Sequence, residues 1–235
     1  MLLQLIILQI GAHLLSDFIF QTSDLSEKKS KRIFTKYHLY HILIVASLSY
    51  ACSFDWNFWP AAIVISITHL GVDTLKSFLQ IKNHKKSYFF ADQALHIAVL
   101  IAVCYAYAEW FDIDFVFDFR TIHLAIIAGF ILCSKPANLI IKELFRLYTI
   151  TVPKDENDNK HEAELPNAGA LIGITERFLT LALILMGEYE AVGLIIAAKS
   201  ILRFQEMRKN EYILIGTLLS FSIAVFTGIA IKFIT

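Results

Sequence analysis

The chain has 235 residues, of which 57% are hydrophobic and 18% are charged. Its 21 basic and 21 acidic residues cancel, and we expect no nucleic-acid binding. Several apolar stretches reach about 20 residues, the length that crosses a bilayer as a helix. The sequence therefore excludes an ordinary soluble domain and predicts an all-α, polytopic integral membrane helical bundle that has the lipid bilayer as a partner.

We expect about eight transmembrane helices, in chain order at residues 2–21, 38–54, 58–79, 89–110, 121–141, 168–187, 190–206 and 212–234. The first lacks a basic leader and a cleavage site, and it carries His13 and Asp17, so it is expected to be a retained helix. Pro136 is expected to kink the fifth helix. The seventh is short for a span, and a re-entrant segment is the alternative.

The loops between these helices alternate in charge. "SEKKSKRIFTK", "KNHKK" and "RFQEMRK" are basic, as is the loop after the fifth helix, whereas "FDWNF", "EWFDIDFVFDF" and "GEYE" are not. Basic loops stay in the cytoplasm, which predicts a multi-pass protein of the cytoplasmic membrane with both termini outside. We expect four segments: a His/Asp-bearing four-helix half at 1–111, an acidic outer loop plus Pro-kinked helix at 112–148, a flexible cytoplasmic loop at 149–167, and a three-helix half at 168–235.

The first four helices contain a repeated pattern. "AHLLSD" on the first helix matches "THLGVD" on the third, and "YHLYHILIV" on the second resembles "ADQALHIAVL" on the fourth. Each hairpin thus carries His-x-x-x-Asp on its first helix and a histidine on its second. A spacing of four places each His-Asp pair on one helix face. We interpret the pattern as a parallel repeat of two helical hairpins.

The predicted topology places all these groups at one depth, in the cytoplasmic half of the bilayer. Ionisable groups at such a depth pair with one another, line a wet cavity or bind an ion. Imidazoles and carboxylates together suit a divalent metal such as Zn, Mn or Fe. The predicted ligands are His13, Asp17, His41, His69, Asp73 and His96, with His38, Asp92 and Gln93 as additional candidates. Histidines 84, 161 and 123 are excluded by their loop or opposite-face positions.

Two other readings of the same residues stay open. One is a proton or cation pathway that relays charge without a fixed metal. The other is a polar network that holds the helices together.

A different set of charged residues follows in the second half. Lys135, Arg177 and Lys199 are predicted to form an anion-binding wall, since arginine contacts phosphate well. For Arg177 and Lys199, pairing with Glu176 is the alternative. A metal beside such a wall would suit hydrolysis or transfer at a phosphoester. Asp17 or Asp73 would then be the catalytic base instead of a ligand.

Several of these stretches together resemble a known family. "AHLLSDFIFQT", "YHLYH", "ITHLGVDTLK", "ADQALHI", "GITERFLTLALIL" and "GLIIAAKSILRF" are similar to bacterial integral membrane proteins grouped as a domain of unknown function. The resemblance covers most of the chain and implies no activity, although such genes often lie beside a SatD-type regulator gene. The His-x-x-x-Asp pairs are also similar to those of membrane-bound metal-dependent hydrolases. That likeness extends only to His13, Asp17, His69 and Asp73, and the Pro-Asp run expected there is missing.

The leading hypothesis is a metal-dependent membrane hydrolase of a phosphorylated or lipid-linked substrate, with a cytoplasm-facing His/Asp site. A metal-ion or proton-coupled transporter is the first alternative, and a membrane scaffold for a partner protein is the second. The outer halves of the first four helices are almost purely apolar, which disfavours a continuous route through them. The sequence leaves the metal, the substrate and the oligomeric state open.

Overall fold

A computed structural model describes residues 1–21, 34–82, 88–150, 168–202 and 211–234, and every regular element among them is helical. Some of the predicted features lie outside the described residues. They are the loop histidines His84 and His161, Arg203 of the basic loop after the seventh predicted helix, and nearly all of the 149–167 loop. The helices are α1 (Leu2–Leu14, continued as a π-helix over Leu15–Phe20), α2 (Lys36–Ser53), α3 (Trp59–Lys82, after a 3₁₀ turn at Trp56–Phe58), α4 (Phe89–Trp110), α5 (Thr121–Cys133), α6 (Lys135–Leu147), α7 (Ala168–Met186), α8 (Tyr189–Leu202) and α9 (Glu211–Ile234).

Five of these segments are long and apolar enough to cross a bilayer: α1 with its π-helix, α3 with its 3₁₀ turn, α4, α7 and α9. The α5–α6 pair makes a sixth if it is one bent span. The described part of the chain is therefore all-helical and compatible with several passes through a membrane, and its five or six candidate spans do not confirm the expected number of about eight. The described part of α8 has 14 residues, or about 21 Å of helix, against about 30 Å of hydrocarbon.

The helix expected at 121–141 is broken in the middle. It ends at Cys133, and a new helix begins at Lys135 with Pro136 in its first turn. Proline has no N–H, and its ring clashes with the carbonyl four residues earlier, so a continuous helix through this point is disfavoured. The break leaves the last carbonyls of α5 in need of other donors.

The chain divides into two compact units, residues 1–131 and 132–235, and the boundary falls within α5. In the first unit, α1 packs against α2 and α4, and α3 packs against the same two helices. The four helices therefore form a ring in which α1 and α3 are diagonal partners, as are α2 and α4. The two helices with His-x-x-x-Asp thus occupy one diagonal. This is the arrangement that a duplicated hairpin would give, and the repeat stays a hypothesis.

One end of this ring is closed by an apolar core around Leu5, Val45, Phe58 and Leu100. Beside it, the buried Asp55 carboxylate joins the α2–α3 connection to the rest of the unit. Its Oδ2 accepts a hydrogen bond from the Tyr107 hydroxyl at 2.8 Å and from the backbone N–H of Asp114 at 3.3 Å, and its Oδ1 accepts from the N–H of Asn57 at 2.9 Å. Asp55 thus fixes this end of the bundle.

Replacing Asp55 by alanine should destabilise the first unit, because a buried hydroxyl and two backbone N–H groups lose their acceptor. We expect the free energy of unfolding to fall by about 1–3 kcal/mol. Thermal unfolding of purified Asp55→Ala in detergent measures this. Asp118→Ala is the matched control, because Asp118 is exposed in the same loop region. Equal stability of the two variants would contradict the structural role of Asp55.

Candidate metal centre

Each of the four helices α1 to α4 contributes to one cluster of imidazoles and carboxylates. Their side chains are almost fully buried: His13, His41, His69 and His96 are 4–5% exposed, Asp73 and Asp92 are 8% and 5%, and the Asp17 side chain is 10%. The cluster lies in the second half of α1 and α3 and in the first turns of α2 and α4. Since α1 and α3 run opposite to α2 and α4 in the predicted topology, these positions meet at one end of the ring.

Three atoms from three helices form a small triangle at the centre of the cluster. The Nε2 atoms of His41 and His69 are 3.0 Å apart, and Asp17 Oδ1 lies 3.3 Å from the first and 3.4 Å from the second. A tetrahedral zinc with ligands at about 2.0–2.1 Å separates its ligand atoms by about 3.3–3.4 Å. The triangle therefore has the size of one face of a tetrahedral metal site.

Asp73 offers an oxygen that could be the fourth donor of such a site. Its Oδ2 is 3.9 Å from both the His41 and the His69 Nε2 atoms. The remaining predicted ligands extend the cluster on either side. Donor atoms within 4.8 Å of one another form three overlapping groups, namely His13, Asp17 and His69; His41, His69 and Asp73; and Asp73, Asp92 and His96.

His13 lies at the edge of the triangle. Its Nε2 is 3.2 Å from Gln93 Oε1, to which it can donate, and its Nδ1 is 3.7 Å from Asp17 Oδ1. Gln93 in turn donates from Nε2 to Asp92 Oδ2 at 3.2 Å. Gln93, expected only as an additional candidate, therefore connects the His13 ring on α1 to the carboxylate on α4.

The turn that carries Asp17 is a π-helix, Leu15–Phe20. π-Helices are rare, and they often occur at functional sites because the extra residue per turn re-aims a side chain. The Ser16 hydroxyl lies 3.0 Å from Asp17 Oδ1 and 2.9 Å from the His13 carbonyl oxygen, and it is placed to donate to them. This turn contains neither proline nor glycine, so no residue in it predicts the change of helix type.

The orientation of His96 is fixed by its own helix. Its Nδ1 donates to the Asp92 carbonyl oxygen at 2.9 Å, which leaves Nε2 as the nitrogen with a lone pair. That Nε2 is buried and has no hydrogen-bond partner among the described residues. A backbone carbonyl on one ring nitrogen and an open lone pair on the other is the arrangement found for metal-ligating histidines.

His38, the other additional candidate, has a structural position. Its Nδ1 accepts a hydrogen bond from the backbone N–H of Thr35 at 3.2 Å, at the N-terminus of α2, and its ring stacks on Phe34. It belongs to none of the three donor groups in the described part of the chain.

A small cavity adjoins the cluster. Its volume is about 20 Å³, and it is lined by His13, Ser16, His69 and His96 on the polar side and by Val45, Ile65 and Leu100 on the apolar side. A water molecule needs about 10–15 Å³ measured in this way. The cavity therefore has room for water against His69, the one residue of the triangle that lines it.

The residues predicted to bind an anion lie in the second unit. Arg177 is 1% exposed and donates to the Cys133 carbonyl oxygen (2.7 Å), the Ser134 carbonyl oxygen (3.3 Å), Ser220 Oγ (2.9 Å) and Asn138 Oδ1 (2.6 Å). Its guanidinium thus satisfies the carbonyls left open at the end of α5. Sequence reasoning missed this role, since it requires knowing that the helix breaks at Ser134.

Lys199 and Lys135 are placed differently from each other. Lys199 forms a salt bridge with Glu176 and lies 5.3 Å from the centre of the Phe221 ring. Together with Arg177, this pair lines a cavity of about 400 Å³ within the second unit. Lys135 is exposed at the start of α6 and is not among the residues that line this cavity. His123, excluded at the outset, is exposed near the start of α5.

These features define a class of protein: an all-helical chain with several apolar helices able to cross a membrane and a buried His/Asp cluster that could hold a metal ion. The chain belongs to the family described as protein of unknown function (DUF3307), whose profile matches residues 5–126. The match covers every residue of the cluster and none of the charged residues of the second unit. No curated protein and no solved structure matches the chain.

Replacing Arg177 by methionine should destabilise the second unit, because two carbonyls of the helix break and two side chains lose a charged donor. We expect the free energy of unfolding to fall by about 2–4 kcal/mol. Thermal unfolding in detergent measures this loss. Arg146→Met, at an exposed position of α6, is the control and should change stability by less than about 0.5 kcal/mol. A stable Arg177→Met would show that the guanidinium does not hold the break together.

Proposed function

We propose that this protein is an integral membrane protein with an intramembrane divalent-metal site formed by His41, His69, Asp17 and Asp73. The observation that carries the proposal is the triangle of two imidazole nitrogens and one carboxylate oxygen, with sides of 3.0, 3.3 and 3.4 Å. Zn, Mn and Fe all suit this donor set. A bound cation also offsets carboxylates that are otherwise costly in an apolar bundle.

The proposed activity at this site is metal-dependent hydrolysis of a phosphorylated or lipid-linked substrate. A divalent ion held here would lower the pKa of a bound water and polarise a phosphoryl oxygen. The adjoining cavity has room for that water. The proposed general base is Asp73 where it does not ligate the metal, and its Oδ2, 3.9 Å from both triangle nitrogens, supports this role. The substrate would have to enter at the end of the ring nearest Asp17.

A transporter of a metal ion is the second candidate, since the same donor set would serve as its binding site. A transport route needs polar groups or water through the whole bundle. Past the cluster, Gln9 and Ser49 are hydrogen-bonded to each other, with Ser49 Oγ donating to Gln9 Oε1 at 2.6 Å. Beyond them the core around Leu5 and Phe58 fills the ring, and both residues are fully buried. This closure favours a site that opens at one end only.

The metal site predicts a difference between two variants. His41→Ala/His69→Ala removes both nitrogens of the triangle and should lower zinc affinity at least about 100-fold. His123→Ala, an exposed histidine in the same unit, should bind zinc as the wild type does. Metal titration and elemental analysis of the purified proteins measure this. A wild type without stoichiometric metal would favour the polar network or the proton pathway, and a double variant that keeps the metal would contradict the proposed ligands His41 and His69.

Hydrolysis and transport are separated by a reconstitution experiment. Zinc-loaded protein in vesicles that contain a polyprenyl diphosphate should release phosphate, and a chelator should abolish the release. The same vesicles should take up no zinc above those with the His41→Ala/His69→Ala variant. Zinc uptake without phosphate release would favour the transporter, and release that survives chelation would rule out metal-dependent chemistry.

A further inference from the structure

Lys76 forms an ion pair inside the cluster that the sequence pattern did not include. Its Nζ is 2.7 Å from Asp92 Oδ2, and its side chain is 26% exposed while that of Asp92 is 2% exposed. Lys76 lies three residues after Asp73 on α3, so both project toward the same side of that helix. The ammonium group therefore sits at the edge of the donor group formed by Asp73, Asp92 and His96.

That donor group has the composition of a second metal site. Asp92 Oδ1 and His96 Nε2 are both buried, and neither has a hydrogen-bond partner among the described residues. Asp73 is shared with the neighbouring group that includes His41 and His69. Two adjacent sites that share a carboxylate are the usual basis of two-metal centres. The question is what cation occupies the second position in this protein.

We propose that the Lys76 ammonium takes the place of a second metal ion, so that the cluster holds one divalent ion per chain. The inference rests on the proposed metal site and specifies its composition. Lys76 already bonds one of the two Asp92 oxygens at 2.7 Å, which is the length of a strong charge-assisted hydrogen bond. A divalent ion bound at Asp92 Oδ1 would share this carboxylate with the ammonium, and the two neighbouring cations would repel each other.

The charges of the cluster agree with one ion. Asp17, Asp73 and Asp92 carry three negative charges, Lys76 carries one positive charge, and one divalent ion supplies the other two. Uncompensated charge in an apolar bundle is costly, so a neutral cluster is favoured. A second divalent ion alongside the charged lysine would leave an excess of positive charge. Without Lys76, a second ion that carries a hydroxide would restore neutrality.

Metal stoichiometry tests this inference. Purified full-length protein is stripped with a chelator, loaded with excess zinc, desalted and measured by elemental analysis. We expect one zinc per chain in the wild type and in Lys76→Arg, and two in Lys76→Met. The double variant Lys76→Met/Asp92→Asn should return to one, because the second ion requires the Asp92 carboxylate.

The outcomes separate this inference from the metal site itself. Two zinc ions in the wild type, or one in a folded Lys76→Met, would overturn the role of Lys76 and leave the metal site intact. No zinc in the wild type would overturn the proposed site, and this inference with it. If Lys76→Met does not fold, the zinc content of the wild type and of Lys76→Arg decides. Two zinc ions per chain in either protein would contradict the proposal that the lysine ammonium takes the place of a second metal ion.

Discussion

The first unit depends on one constraint, which is the need to compensate buried charge within an apolar four-helix ring. Asp17, Asp73 and Asp92 lie among four nearly buried imidazoles, and the surrounding residues are valines, leucines and isoleucines. Such groups are stable only when each is paired, hydrogen-bonded or bound to a cation. The contacts of Ser16, Gln93 and Lys76 serve this purpose, since each donates to a carboxylate of the cluster.

The same constraint explains how the ionisable residues are distributed among the helices. α1 and α3, on one diagonal of the ring, each bring a histidine and an aspartate four residues apart, and α2 and α4 bring one imidazole each to the same level. At the other end, Asp55 is satisfied by a tyrosine and two backbone N–H groups, and no histidine accompanies it. A carboxylate with three neutral donors is a structural element, whereas carboxylates that face imidazole nitrogens at 3.3–3.9 Å have the geometry of groups that could hold a metal ion.

Much of this arrangement could be predicted from the sequence, because its signals are local. The apolar runs gave the helices, and the His-x-x-x-Asp spacing indicated which residues share a face. Three features required the folded chain. The π-turn at Asp17 has no residue that marks it, Lys76 lies outside the repeated His/Asp pattern, and the role of Arg177 depends on the break at Ser134. The number of spans stays a prediction, since α2 carries two histidines and three serines and the described part of α8 has 14 residues.

The central claim is that His41 and His69, with Asp17, ligate one divalent ion, and X-ray absorption spectroscopy of the zinc-loaded protein tests it most directly. The account predicts a four-coordinate shell of nitrogen and oxygen at about 2.0–2.1 Å, with the outer-shell scattering of two imidazoles. In His41→Ala/His69→Ala this imidazole scattering should disappear. A spectrum without imidazole scattering, or one that is the same in both proteins, would contradict the claim.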